Sequence, residues 1–535
     1  MLIPFLLVVA LVALPSIAHA APDETLAVWI PRAAGTTPFS GQPTASPHSF
    51  WLYAHQGVEY RAYAVATGGT PPYTWSLSGQ PAGMTIDYKS GAAGKTGTNT
   101  QYFTGVISWP NPQASSGTIT VTVTDALSAQ ASATWTVTVQ SSKFVFVDCD
   151  ATAPGSGTLA NPYPSISAMY NARPAHVDKI VMFRSCAGTY RVHDMTLNDP
   201  ERKDFHGLYD PMQWIAHPGE TPVFDVNFQA GVTNGAYVRF TPAGMPVAWV
   251  GIDCINTRNQ CLNLVDGTFL GLVADSAFSD QTGTDGENPA FVMTSAGAKN
   301  LTMIIRNDFS DYGVKGQANV SGSCIETYEE TYFALIDNVC RDSVGADSDL
   351  SGFHLKGRMD QVFVYNNLVH GVHHRGIGGS NNVLGDAVIA FNRLYNCGND
   401  CMSLNEFGTI VTPIHLRRNS IVGQLLIEDV NLASSGPFIL SNNVHVATEP
   451  LGGCKPGHRL TCPNSSQLDR IVLSAAPNED VVKQPSDNCV DSLGLLSDVG
   501  PDDCLTNFLG TKGAQVAATP PSGGVPRPPR NLTVR

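Results

Sequence analysis

Between His354 and Arg375 the chain places His354, Lys356, Arg358, His370, His373, His374 and Arg375 against a single acid, Asp360. Those four histidines come from a total of 14, in a protein whose formal charge is -14. A basic cluster on an acidic background attracts an anionic ligand, because its local field opposes that of the surrounding surface. The same side chains suit proton transfer. A lysine becomes a base when neighbouring cations disfavour its ammonium form, so Lys356 beside Arg358 or Arg375 is the expected base. Arginine holds a carboxylate through two parallel hydrogen bonds, which is the expected role of Arg375, along with stabilising a departing oxygen. His354, or one of His370, His373 and His374, is placed to share the proton traffic. The competing reading is a solvated, charged turn, with each histidine structural or stacked on a sugar.

Such a cluster needs elements to position it. In Gly352-Phe353-His354-Leu355-Lys356, strand alternation puts Phe353 and Leu355 on the apolar face and sends His354 and Lys356 the other way. A repeat surrounds this strand. Asn307, Asn338, Asn367, Asn392, Asn419 and Asn443, each followed by apolar residues, are separated by 31, 29, 25, 27 and 24 residues. That period matches one coil of a solenoid, each coil being three short strands that bury their apolar faces only by stacking on the next. Asn at a recurrent bend tolerates left-handed geometry and forms side-chain ladders. Alignment on these positions predicts that Glu326, Lys356, Arg375 and Glu406 share one level of adjacent coils on one outer sheet, with strands about 4.8 Å apart.

The rest of the chain is read around that solenoid. Residues 1–20 hold an apolar run ending in Ala18-His19-Ala20, the pattern of a secretory signal, and predict a secreted, extracellular or periplasmic protein. Residues 21–43 read as a polar leader. From 44 to 140, alternation in Ile119–Thr124 and Ala133–Val139 predicts a small β-sandwich. The β-helix is expected over 143–450, a cysteine-containing C-terminal cap over 451–519 and a Pro-rich tail over 520–535. The 12 cysteines suit disulfides in an oxidising compartment. The sequence neighbours are Cys254 and Cys261, Cys324 and Cys340, Cys397 and Cys401, Cys454 and Cys462, and Cys489 and Cys504, which leaves Cys149 and Cys186, and the sequence alone leaves the connectivity open. The acidic charge argues against a nucleic-acid partner, and no stretch is long enough for a membrane span.

Gly68-Gly69-Thr70-Pro71-Pro72-Tyr73 through Met84 resembles the immunoglobulin-like domains of bacterial exported proteins, which implies a spacer or adhesive module. Phe144–Asp148, then Gly157-Thr158 to Pro164, then Lys179–Phe183 and Gly188-Thr189-Tyr190, resembles the N-terminal cap of right-handed parallel β-helix proteins of the pectate-lyase type. The string Asp349-Leu350-Ser351-Gly352-Phe353-His354-Leu355-Lys356-Gly357, with Asn366 and Arg375, is similar to the catalytic coils of β-helical polysaccharide lyases of the alginate lyase and chondroitinase B group. That resemblance implies β-elimination on an anionic polysaccharide, with Lys356, Asn366 and Arg375 as the working set and Arg358, His370, His373, His374 and Glu406 beside the substrate. It also implies Ca²⁺, matched loosely by Glu326, Asp347 and Asp349, with Ser351 where an acid is expected.

A lyase removes the weakly acidic proton at C5 of a uronate and expels the 4-linked oxygen, so the enzyme must neutralise the carboxylate as charge develops. A glycoside hydrolase on the same scaffold needs two carboxylates across the scissile bond, for which Glu326, Asp347, Asp349 and Glu406 are the candidates. The Asn-x-Asp and Asp-Asp motifs of β-helical polygalacturonases do not occur around the Lys356 coil, nor does the Asp-Pro-His-Asp of the C5-epimerases. A non-catalytic glycan-binding protein needs only the basic stripe.

Overall fold

The computed structural model describes residues 25–30 and, with interruptions, 50–446, together with the strands Ile471–Leu473 and Val481–Lys483. The expected signal sequence, the neighbours Cys454 and Cys462, Cys489 and Cys504, and the Pro-rich tail lie outside the described residues.

Most of the chain winds into a right-handed parallel β-helix, the hand that parallel crossovers take. Each coil contributes a strand to three ladders. The docking ladder runs from Phe144–Val147 through Thr302–Ile305 and Thr331–Ile336 to Ile471–Leu473. The third ladder runs from Tyr190–Arg191 through Asp308–Ser310, Val339–Arg341 and Leu368–Val372 to Val481–Lys483. The site ladder takes Tyr237–Thr241, Leu262–Val265, Ala290–Ser295, Gly322–Tyr328, the start of Leu350–Tyr365, the start of Arg375–Ala390 and Asp400–Leu404. Parallel pairing thus continues to Lys483, beyond the expected boundary at 450.

Inside the coils, Val292, Ile325, Phe353, Ile377 and Met402 stack in successive strands. The helix Ile166–Asn171 closes the N-terminal end with Ile166, Met169 and Tyr170 buried, and Ser165 caps it by accepting from the Ala168 amide at 3.1 Å.

The recurrent asparagines form the expected side-chain ladder, fully inside the structure. Asn307 donates from its amide and Nδ2 to Asn338 Oδ1, each at 3.0 Å, and the pattern repeats from Asn338 to Asn367, Asn392 and Asn419. The left-handed residue is not the ladder asparagine but its predecessor: Arg306, Asp337, Asn366 and Phe391 have φ between 55° and 61°. The turn therefore projects the preceding side chain outward and tucks the asparagine in, where its amide satisfies carbonyls such as Val273 O and Ile304 O.

Four disulfides are present among the described residues, Cys149–Cys186, Cys254–Cys261, Cys324–Cys340 and Cys397–Cys401, so the structure supplies the connectivity that the sequence left open. Cys324–Cys340 ties a site-ladder strand to a third-ladder strand inside the core, across 16 residues. Replacing both cysteines with alanine should lower the unfolding free energy by about 3 kcal/mol, read as a shift of the urea midpoint; an unchanged midpoint contradicts it.

The N-terminal module contains a short parallel pairing of Tyr53–Ala54 with Thr138–Val139 and two antiparallel sheets. One orders Ala27–Trp29, Tyr60–Thr67, Thr104–Trp109 and Thr85–Asp87; the other orders Thr74–Ser78, Ile119–Thr124 and Gln130–Trp135. The segment read as a leader thus supplies an edge strand, its Ala27-Val28-Trp29 buried throughout. The module is no free spacer. It lies on the outer face of the docking ladder, where Trp29 meets Phe363 edge-on at 5.1 Å and Phe103 packs on Tyr365 and Phe391. Docking-ladder strands are apolar on both faces for that reason.

Candidate functional site

The basic stretch is divided among the ladders. On the site ladder Glu326 is level with His354 and Gly378, while Tyr328 is level with Lys356 and Ser380. Arg375 pairs with Ser351, and so stands before the level of His354 rather than beside Lys356. The expected common level of Glu326, Lys356 and Arg375 is therefore shifted by two and three residues, because coils of unequal length absorb the difference in their turns. Phe353 and Leu355 face the core, which sends His354 and Lys356 outward.

Side chains restore the proximity that the backbone register lacks. Lys356 reaches back diagonally, its Nζ 2.6 Å from Glu326 Oε1 and 3.4 Å from the Tyr328 hydroxyl. The Tyr328 hydroxyl donates to the same Glu326 oxygen at 2.5 Å, and its ring centre lies 5.5 Å from Nζ. Both members of the ion pair are largely shielded, Lys356 at 14% and Glu326 at 2% side-chain exposure. Arg375 folds over Gly378, where a methyl group would come within 3.2 Å of its Cδ. Gly378 is the register partner of His354, so this glycine lets the guanidinium lie against the imidazole's neighbourhood. The Cys397–Cys401 disulfide backs that strand, with Gly376 packed against Cys397 Sγ.

His354 is thereby placed among Lys356, Arg375 and His374. Burial, followed by the positive fields of Lys356, Arg375 and His374, depresses its pKa to about 3, so it is a neutral imidazole at ordinary pH. The unfolded chain binds a proton at His354 near the ordinary value of 6.5, and the folded one does not until about 3. Stability linked to this residue is accordingly intact above pH 6.5 and lost as pH falls toward 3, at about 1.4 kcal/mol per unit of difference at most. His55, His217 and His370, also lowered by burial, act in the same sense, whereas Asp311 and Asp337, raised by burial, oppose it. Urea midpoints of His354→Gln should therefore fall less steeply than the parent's between pH 7 and pH 4; parallel curves contradict this.

Other expected members lie elsewhere. Asn366 sits at the left-handed corner between the docking and third ladders, buried, with Nδ2 donating to Asp337 Oδ1. It supports the module-facing corner and does not join Lys356. His370 is on the outer face of the third ladder, stacked on Tyr395 at 4.9 Å. His373 is exposed and bonded through Nδ1 to Ser343 at 2.6 Å, whereas His374 is buried near His354. The backbone of Arg358 follows a register shift after Lys356, and its side chain, like Glu406, Asp347 and Asp349, lies outside the described residues. Glu326 is the described member of the expected Ca²⁺ set, and its Oε1 is taken by an ammonium and a phenol. Cys149, Asp150 and Cys186 converge as well, but the two cysteines are joined as a disulfide.

Sequence reasoning missed Tyr328. The alternation that turned His354 and Lys356 outward also turns Glu326 and Tyr328 outward in Ile325-Glu326-Thr327-Tyr328, so the signal was present.

No protein-family model matches the chain, and no curated protein matches it. Two solved structures that match are the complex structure of XylC with xylose, at 9% identity over 64% of this chain and 82% of that one with a TM-score of 0.32, and the structure of Yersinia enterocolitica family 28 exopolygalacturonase, at 9% identity over 87% and 99% with a TM-score of 0.35. Likenesses at that level say nothing of activity or ligand.

Proposed function

We propose that this chain acts outside the cytoplasm on a uronate-containing polysaccharide, cleaving it by β-elimination at the His354, Lys356 and Arg375 cluster. One observation carries the reading: a neutral imidazole held among fixed cations on an outward strand face. Disulfides persist in oxidising compartments, and none of the described helices is long and apolar enough to cross a membrane.

The division of labour differs from that expected of Lys356. An ammonium paired with Glu326 at 2.6 Å serves as a charge and a donor rather than as a proton acceptor. Lys356 and Arg375 would draw the uronate carboxylate and stabilise the enolate-like charge formed when the C5 proton leaves. His354 takes that proton. A pKa near 3 makes it a weak base in the free protein, but a bound carboxylate adds negative charge beside the ring and moves the value upward, toward the range that suits a general base. The C5–H electron pair becomes the C4–C5 double bond as the C4–O bond breaks. The departing oxygen needs a proton, and the Tyr328 hydroxyl is the donor this face offers.

A hydrolase is the second reading: it needs two carboxylates, and the site ladder carries Glu326, paired with Lys356, and Asp400, level with Arg375 on the next strand. Incubation with polygalacturonate, alginate, chondroitin sulfate, dermatan sulfate and hyaluronan tests the proposal. Elimination yields ultraviolet absorbance from the unsaturated end. New reducing ends without absorbance would establish hydrolysis, and binding without either would leave a glycan-binding protein.

A further inference from the structure

The outward face of the site ladder continues beyond the cluster. Arg239, Asn263, Met293, Glu326 and His354 occupy one level of successive strands. Their flanking residues Val238, Phe240, Leu262 and Val292 are in the core, so these side chains form a continuous outward row. At about 4.8 Å per strand, Arg239 stands about 14 Å from Glu326 and about 19 Å from His354 along the helix axis. A 1,4-linked pyranose chain laid across the strands advances by roughly one strand per sugar.

Arg239 and its neighbour Asn263 are incompletely satisfied. Arg239 Nε and Asn263 Oδ1 are shielded from solvent without a hydrogen-bond partner. Asn263 is buried, at 8% exposure, and its Nδ2 donates to Gln260 Oε1 at 2.7 Å. With Nε enclosed and the residue only half-buried, the part of the Arg239 guanidinium that remains accessible is its outer edge, on the face of the row. A carboxylate lying along the row can take that edge in a charge-assisted pair, while Asn263, held by Gln260, packs beside it.

We propose that Arg239, with Asn263 beside it, is a distal subsite that holds a uronate carboxylate about four sugars from the cleaved bond. Acidic chains long enough to reach it then bind more tightly than shorter ones, and internal stretches of polymer are preferred over short ends. This rests on the proposed function.

The test is calorimetric binding of oligogalacturonates and alginate oligomers, from disaccharide to hexasaccharide, to the His354→Gln protein, with kcat/KM measured on the same series for the unmodified chain. Affinity is expected to rise about ten- to hundredfold once the chain spans the row, the size of one charge-assisted contact. Arg239→Met abolishes that rise and leaves the shortest chains unchanged; Arg239→Lys keeps part of it and guards against a folding effect. A rise that survives Arg239→Met overturns the subsite. If short acidic chains are bound or cleaved but length has no effect, the subsite alone falls. If no acidic oligomer of any length binds or is cleaved, the proposed function falls with it.

Discussion

Replacing Arg306 with methionine should lower the unfolding free energy by about 3–5 kcal/mol, the cost of leaving a buried charge without its partner. Arg306 Nε lies 2.8 Å from Asp275 Oδ1, with the two side chains 5% and 0% exposed. The pair is set into the joint between the module and the β-helix. Tyr63 donates to Asp275 Oδ2 at 2.9 Å, Arg306 Nη1 donates to Thr104 Oγ1 at 3.3 Å, and Thr104 donates to Asp337 Oδ2 at 2.7 Å. Without the guanidinium, Asp275 keeps a phenol and loses its countercharge. A second change, Asp275→Asn, retains an acceptor for Tyr63 and removes the stranded charge, so the double variant should recover most of the loss. Urea unfolding followed by tryptophan fluorescence reads both, since Trp29 lies at the joint. A cost below about 1 kcal/mol for the single variant would place the pair among weak surface bridges and contradict the burial argument.

That joint also shows where sequence reading stopped. The period of the asparagines was enough to find the coils, because a buried amide ladder demands the same residue at the same point of every turn. It did not tell which residue of the turn is left-handed. Asp and Asn tolerate that geometry, but the corner also accepts Arg306 and Phe391, since tertiary contacts with the module hold them there. Docking was foreshadowed by runs such as Phe333–Ile336 and Val362–Tyr365, apolar at every position and therefore buried on both faces. Alternation says nothing about which partner covers the second face, so a docked module was read as a spacer. At the candidate site, alternation correctly turned His354 and Lys356 outward, while levels counted from the asparagines failed because the turns between third and site ladders vary in length. Long side chains then closed the gap: Lys356 spans to Glu326, and Gly378 leaves room for Arg375.

The proposed chemistry predicts a separation that a purely structural cluster would not show. His354→Ala should reduce kcat on the polymer that is cleaved by about 10²–10⁴, the usual contribution of a general base. It should do so without loss of stability at neutral pH beyond that of a modest cavity, since the removed ring is neutral. Lys356→Met should abolish elimination and also destabilise the fold by about 3–5 kcal/mol, because Glu326 is left buried and charged. Adding Glu326→Gln neutralises that carboxylate. The Lys356→Met, Glu326→Gln protein should therefore recover stability and remain inactive, as the cation that draws the uronate carboxylate is still missing. Stability and kcat/KM measured across these three variants decide the matter. If the double variant regains activity along with stability, Lys356 serves the fold alone; if His354→Ala cleaves at the parent rate, the proton goes to another group and the imidazole is a buried spacer.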